Sequence, residues 1–197
     1  VNIFLSAHYD DAILSCGELM QELPDVLVLT VYGGMPKNTG LTDYDKKCGF
    51  KSSRQAVQFR RQENTEACEL LNVQCAKLDF LDNQYGDNDE LKMLEQLRGY
   101  TDGHFVYAPI GILHHDHVQL NRLARKLDIV TYYEDIPHRV IWSDIMQDKI
   151  RSMQLMEVIM PAGDRQLKRK ALERYESQMN KDDLQMEWCL SPERYWR

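Results

Sequence analysis

The chain opens on an apolar run, Val1 to Ala7, and passes straight into His8-Tyr9-Asp10-Asp11. A buried strand that ends in side chains able to bind a metal or move a proton constrains fold and chemistry together. In an open α/β sheet the loops at the C-terminal strand ends diverge, and side chains there project into a ligand-binding crevice. A second cluster, His114-His115-Asp116-His117, comes far later and again just past an apolar run, His104 to Pro109. Two such clusters, each near a strand end, suggest one metal site.

The spacing between them reads as alternating strands and helices. Val26 to Tyr32, Ala76 to Leu81, His104 to Pro109 and Ile129 to Tyr133 are apolar runs of strand length. Helical composition falls at Ala12 to Leu23, where Asp10 or Asp11 caps the start and Pro24 stops the end, and at Arg54 to Leu71. It recurs at Asp89 to Leu97, capped by Asp87 or Asn88, and at Val118 to Leu127. Met35 to Ser53 reads as a long surface loop, of the kind that carries function in compact domains. Beyond it, Met153 to Met160 reads as a strand, Arg165 to Gln178 as a charged helix and Lys181 to Trp188 as a short one. The pattern predicts an α/β, Rossmann-like three-layer sandwich with a mostly parallel sheet and the metal site at its C-terminal strand ends.

At 197 residues the chain is sized for one domain, spanning 1–197. A net charge of -7 argues against general affinity for nucleic acid or anionic membrane. No apolar stretch approaches the roughly 18 to 20 residues of a membrane span, and the first residues lack a signal peptide's basic region and cleavage site. The five cysteines are scattered, odd in number and without a Cys-x-x-Cys pair, as expected of reduced thiols. Cytoplasm is the expected compartment.

A hydrolytic zinc site uses three His or carboxylate ligands and leaves a fourth position for water. His8 and Asp11, three residues apart across a strand-to-helix turn, supply two and leave Asp10 free as a general base. The competing reading makes Asp10 or Asp11 a helix cap and His8 a satisfied turn residue, and the tetrad alone does not choose between them. His117 is the natural third ligand. His114, as a protonated imidazole, would stabilise the developing oxyanion or donate a proton to the leaving amine, and Asp116 would orient one of the imidazoles. His115 reads as solvent-exposed.

Ala7 to Ala12, A-H-Y-D-D-A, resembles the A-H-P-D-D-E signature of the LmbE-like (PIG-L) de-N-acetylase family, and H-H-D-H at His114 to His117 resembles that family's H-P-D-H. Cys16-Gly17, Arg60-Arg61-Gln62-Glu63, and Lys170-Ala171-Leu172 with Tyr175 and Ser177-Gln178 are similar to further family stretches. The resemblance implies a zinc-dependent hydrolase that removes an acyl group, usually acetyl, from an amide nitrogen of an N-acetylated sugar. Position by position it makes His8, Asp11 and His117 the zinc ligands, Asp10 the general base, His114 the electrostatic stabiliser and Arg60 a substrate contact. Tyr9 stands for the family's proline and Ala12 for its glutamate.

The expected partner is thus a small N-acylated molecule, and the ion is zinc or another divalent metal such as Fe2+. A homo-oligomer stays open. Two rival readings remain: the same machinery on a thiol-conjugate or other non-sugar amide, and a non-catalytic Rossmann-type ligand-binding module. The second is weakened because His8 to Asp11 stands where a Gly-x-Gly-x-x-Gly turn would be.

Overall fold

The computed structural model describes residues 1–37, 40–127, 130–179 and 184–197. Five strands run parallel: β1 Asn2–Ser6, β2 Val26–Thr30, β3 Gln74–Lys77, β4 Phe105–Pro109 and β5 Val130–Tyr133. Two short strands, β6 Glu157–Val158 and β7 Tyr195–Trp196, close one edge antiparallel. The order across the sheet is β3-β2-β1-β4-β5-β7-β6. From β1 the chain winds outward through β2 to β3, then crosses to β4 on the other side of β1. That reversal lies between β1 and β4, and it is where an α/β sheet opens its ligand crevice.

β1 is buried along its whole length, and its alternate side chains feed two cores. Phe4 packs with Val28, Tyr107 and Tyr133 beneath α1 Asp11–Cys16, α2 Leu19–Glu22, α4 Ser53–Leu70 and α9 Arg165–Leu172. Ile3 and Leu5 pack on the opposite face with α5 Glu90–Thr101, α6 His115–Ala124 and α8 Ser143–Met153. The expected three-layer sandwich with a mostly parallel sheet is therefore what forms. Three short helices complete it: α3 Asp43–Lys47, α7 His138–Ile141 and α10 Met186–Cys189.

Several element boundaries differ from expectation. The helix expected over Ala12 to Leu23 is split into α1 and α2 at Gly17, where a Cβ would meet the Ile13 carbonyl oxygen at 2.8 Å and Lys168 at 3.0 Å. Buried Lys168 pairs with Glu193, whose carboxylate takes the N–H groups of Glu18 and Leu19 at the start of α2. Partners that lie far away in sequence thus end α1. The loop Met35 to Ser53 carries α3, capped by Thr42. The third strand lies at Gln74–Lys77 rather than Ala76 to Leu81, α5 is capped by Asp89 rather than Asp87 or Asn88, and α9 ends at Leu172 rather than Gln178.

Met153 ends α8, so only Glu157–Val158 of the stretch Met153 to Met160 is a strand. Within Lys181 to Trp188, residues 181–183 lie outside the described residues, as does Ile129 of the expected strand Ile129 to Tyr133; α10 begins at Met186. Among the described residues no helix is long and apolar enough to cross a membrane.

Candidate active site

β1 delivers the first cluster through a turn that Ser6 ties down. Its hydroxyl donates to the His8 carbonyl at 2.6 Å and accepts the Ala12 N–H at 2.9 Å. Ser6 thereby serves the N-terminus of α1, and Asp10, at the capping position, makes no side-chain cap hydrogen bond. The cap reading of Asp10 is thus not what the fold uses. Tyr9 replaces a proline's rigidity with hydrogen bonds: its hydroxyl donates to the Gly33 carbonyl at 3.0 Å, and its own carbonyl accepts from Tyr175 at 3.3 Å.

The second cluster sits in the first turn of α6, which begins at His115, earlier than the expected Val118. Its approach is tight. Gly111 has φ +67, and a Cβ there would meet the His117 carbonyl oxygen at 2.2 Å. Leu113 also lies in the left-handed region, at φ 61, a strain of the kind found where a site fixes its backbone.

The two clusters meet. His8 Nδ1 lies 3.3 Å and His117 Nε2 3.2 Å from the same oxygen, Asp11 Oδ2. Each imidazole is held from behind by a carboxylate: His8 Nε2 is 3.0 Å from Asp116 Oδ2, and His117 Nδ1 is 2.9 Å from Asp135 Oδ1. Asp135 also accepts the Gly111 N–H at 2.8 Å, and Asp116 accepts the Asn83 N–H at 3.0 Å. Metal-ligating histidines characteristically donate their second nitrogen to a carboxylate in this way. The two separations to Asp11 Oδ2, 3.3 and 3.2 Å, match the edge of a tetrahedron with ligand bonds of about 2.0 to 2.1 Å. Two imidazoles gathered on one carboxylate are donors of the kind that suit a divalent metal ion.

Ring nitrogens of His8, His114 and His117 also lie within 4.8 Å of one another, as do ligand atoms of His8, Asp82 and Asp116. In the latter group Asp116 is already engaged by His8, Asn83 and His115.

Burial and the neighbouring charges oppose one another throughout the site. Burial opposes charge on His117, but Asp11 and Asp135 outweigh it and hold its pKa at about 10. His8 is likewise raised, burial being overcome by Asp82, Asp11 and Asp116. Asp11 is pulled well below the usual carboxylate range, because His117 and His8 outweigh its burial. Burial and then the charge of Asp11 push Asp10 up to about 7, close to the pKa wanted of a general base at neutral pH. His114 goes the other way: burial, then His8 and His117, lower it to about 4, so its imidazole is neutral rather than protonated as expected. Its Nδ1 accepts the Asp116 N–H at 3.3 Å, which leaves the ring proton on Nε2. His115 is exposed, as expected.

These side chains line a cavity of about 460 Å3, within the range of small-molecule sites. Arg60 of α4 also lines it and is not a solvated helix residue: it is 9% exposed, with Nη2 2.9 Å from the fully buried Asp45 of α3 and its guanidinium over the Tyr44 and Phe50 rings. Its Nε is buried without a hydrogen-bond partner among the described residues. Sequence reasoning missed Asp135 and His138, both of which follow the fifth strand. The signal was Glu134-Asp135, an acidic pair at the same end of the sheet as the two clusters.

The family model of PIG-L, described as GlcNAc-PI de-N-acetylase, matches residues 3–127, more than half of the chain and both clusters. The chain belongs to the PIG-L family. No curated protein matches it by sequence. Among solved structures, a triple mutant of the teicoplanin-pathway deacetylase Orf2 aligns with TM-score 0.80 and 22% identity, covering 99% of this chain and 96% of that one. The A40926 pseudoaglycone deacetylase aligns with TM-score 0.68 and 20% identity over 90% and 81% of the two chains. GalB, a 4-carboxy-2-hydroxymuconate hydratase from Pseudomonas putida, aligns at 0.54 and 16% over 87% and 82%. At these identities the likeness is one of fold, and the hydratase among them means that the PIG-L fold alone does not set the reaction.

Proposed function

We propose that residues 1–197 form one metal-dependent N-deacetylase domain that hydrolyses the acetamide of an N-acetylated amino sugar or glycoconjugate. The observation that carries this reading is the meeting of His8 and His117 on Asp11 Oδ2, each imidazole backed by its own carboxylate, with Asp10 beside them. Membership of a de-N-acetylase family and the deacetylases among its structural likenesses support it.

On this reading His8, Asp11 and His117 hold the ion, zinc being the best match to two imidazoles and one carboxylate. A divalent ion there supplies Lewis-acid polarisation of the amide carbonyl and makes water more acidic. The chain's own residues do the rest. Asp10 takes a proton from the attacking water as the new C–O bond forms. The neutral His114 donates its Nε2–H to the carbonyl oxygen as charge builds there, a role that needs a placed donor rather than a cation. Asp10 then returns the proton to the amide nitrogen as the C–N bond breaks, so that acetate and a free amine leave. Arg60, buried against Asp45, contacts the substrate from the wall of the cavity.

The deciding experiment is acetate release from a panel of N-acetylated sugars, with and without a chelator. Chelator-sensitive release that returns on adding Zn2+ is expected. Release only from thiol-conjugate amides would move the substrate class, and release unaffected by metal removal would sink the mechanism.

A further inference from the structure

The last turn of α4 and the strand that follows it bring two thiols together outside the cavity described above. Asn72 reverses the chain at φ 54, and the Val73 N–H donates to the Cys68 carbonyl at 3.0 Å, so β3 starts back along the helix it has just left. Cys68 is buried in the core between α4 and the sheet, and Cys75 packs against the same core from β3. The Cys75 thiol reaches Thr65 Oγ1 at 4.0 Å, one helical turn before Cys68, and the two thiols hydrogen-bond one another. Neither lines the cavity, and the mechanism above uses neither.

The two are unequal. Cys68 is fully buried, whereas Cys75 is half-buried on β3, the outermost strand of the sheet. The hydrogen bond from Cys68 brings the Cys75 pKa down to about 6; Thr65 and the Arg61 guanidinium help, while burial and Glu69 oppose. The same hydrogen bond, with burial, holds Cys68 far above an ordinary thiol. A reachable thiolate thus stands beside a sheltered, protonated thiol, as in an attacking and a resolving cysteine. Capping Cys75 removes the negative charge that keeps the proton on Cys68, and the second thiol is then free to ionise and attack.

We infer that Cys75 and Cys68 form a thiol–disulfide exchange site that takes low-molecular-weight disulfides of the glutathione type. The Cys75 thiolate attacks one sulfur of the small disulfide, which forms a mixed disulfide and expels one small thiolate. That thiolate takes the Cys68 proton, and the Cys68 sulfur attacks Cys75 Sγ, breaking the mixed disulfide and expelling the second small thiolate. Two protein sulfurs are oxidised to one bridge, and the small disulfide is reduced to one thiol and one thiolate. The pair is also connected to the first cluster. The Cys68 S–H reaches Asn64 Oδ1 at 4.0 Å, the same oxygen accepts the Tyr175 hydroxyl at 3.0 Å, and that hydroxyl lies 3.3 Å from the Tyr9 carbonyl. Bridging takes the Cys68 proton out of this chain.

The test treats the full chain with glutathione disulfide near pH 7.5, about one unit below the pKa of an ordinary thiol, then blocks free thiols and digests with trypsin. Both cysteines fall in one tryptic peptide, residues 62–77, which holds no other cysteine. The expected product is that peptide, lighter by two hydrogens and carrying no blocking group. Cys68→Ala should stop at the mixed disulfide, with glutathione retained on Cys75, and Cys75→Ser should give neither product. Alkylation of wild-type Cys75 by iodoacetamide should reach half its limiting rate near pH 6, and the midpoint should climb toward about 8.5 in Cys68→Ala. Glutathione that stays on wild-type Cys75 without bridging, or a peptide that stays reduced while Cys48 reacts, overturns the inference. If Cys68→Ala does not fold, the wild-type protein decides alone: an unbridged peptide, or an alkylation midpoint near that of an ordinary thiol, is equally decisive against it.

Discussion

His117 Nδ1 stands 2.9 Å from Asp135 Oδ1, which turns the other ring nitrogen, Nε2, toward Asp11. The pair fixes the orientation of an imidazole at the start of α6, the ligand of the proposed site, with Asp135 itself held in place by the Gly111 N–H. Asp135→Asn should weaken Zn2+ affinity by about 10- to 100-fold while leaving the fold intact. Competition titration against a chromogenic chelator measures this, and an unchanged affinity would remove Asp135 from the account.

Asp10 and His117 should separate chemistry from metal binding. Asp10→Asn leaves the ligands in place and removes the proton acceptor, so turnover should fall by about 100-fold or more with the bound metal retained. His117→Ala should lose the metal first. Metal content measured beside acetate release distinguishes the two, and loss of zinc from Asp10→Asn would reverse the assignment.

Proton and metal compete for His117. Asp11 and Asp135 hold its pKa at about 10, above the roughly 6.5 of an unfolded histidine. The bound proton therefore contributes stability that is complete below about 6.5 and is lost as pH rises toward about 10. The same proton must leave when an ion binds. His8 is raised as well, so Zn2+ binding near pH 7.5, set at about one unit above the free imidazole, should release protons from both histidines, and apparent affinity should rise with pH. Calorimetry in buffers of different ionisation enthalpy reads those protons directly, and a heat independent of buffer would contradict the assignment.

Arg60 and Asp45 form a buried pair between α4 and α3, with Tyr85 donating to the other Asp45 oxygen at 2.8 Å. Arg60→Met leaves a fully buried carboxylate without its cation and should cost about 3 to 5 kcal/mol, whereas Tyr85→Phe should cost about 1 kcal/mol. Urea unfolding gives both values. Near-equal losses would mean that the ion pair is not what holds the loop.

Ser6, the last residue of β1, ties down the turn that carries the first cluster, since one hydroxyl serves both the His8 carbonyl and the Ala12 N–H. Ser6→Ala should cost about 1 to 2 kcal/mol and weaken metal binding through a loosened His8 turn. Thermal melts with and without Zn2+ test it; a variant as stable as wild type in both states would show the hydroxyl to be dispensable.

Local pattern carried a good deal. The apolar runs at Val1 to Ala7, Val26 to Tyr32 and His104 to Pro109 announce buried parallel strands because both faces of such a strand need apolar cover. The clusters at His8 to Asp11 and His114 to His117 announce metal chemistry because few other roles gather imidazoles and carboxylates so densely. Other features were hidden because their causes lie far away in the chain. Lys168 and Glu193 break the first helix at Gly17, and Asp45 becomes buried only because Arg60 and Tyr85 close over it. Asp135 and His138 are hard to read locally because the acidic pair Glu134-Asp135 has no imidazole beside it, and it meets His117 only once β5 is paired with β4.

Residue order alone is thus enough to specify the α/β class, the candidate ligands and their position at strand ends, because hydrophobic period and side-chain chemistry are local properties. It does not say that β1 and β4 are neighbours. That adjacency comes from the reversal of strand order and the pairing of Phe4 with Tyr107, whose rings stack at 4.3 Å between the two strands. Only then do His8 and His117 reach one oxygen of Asp11, because the ends of adjacent parallel strands lie about 5 Å apart and their side chains must share one crevice.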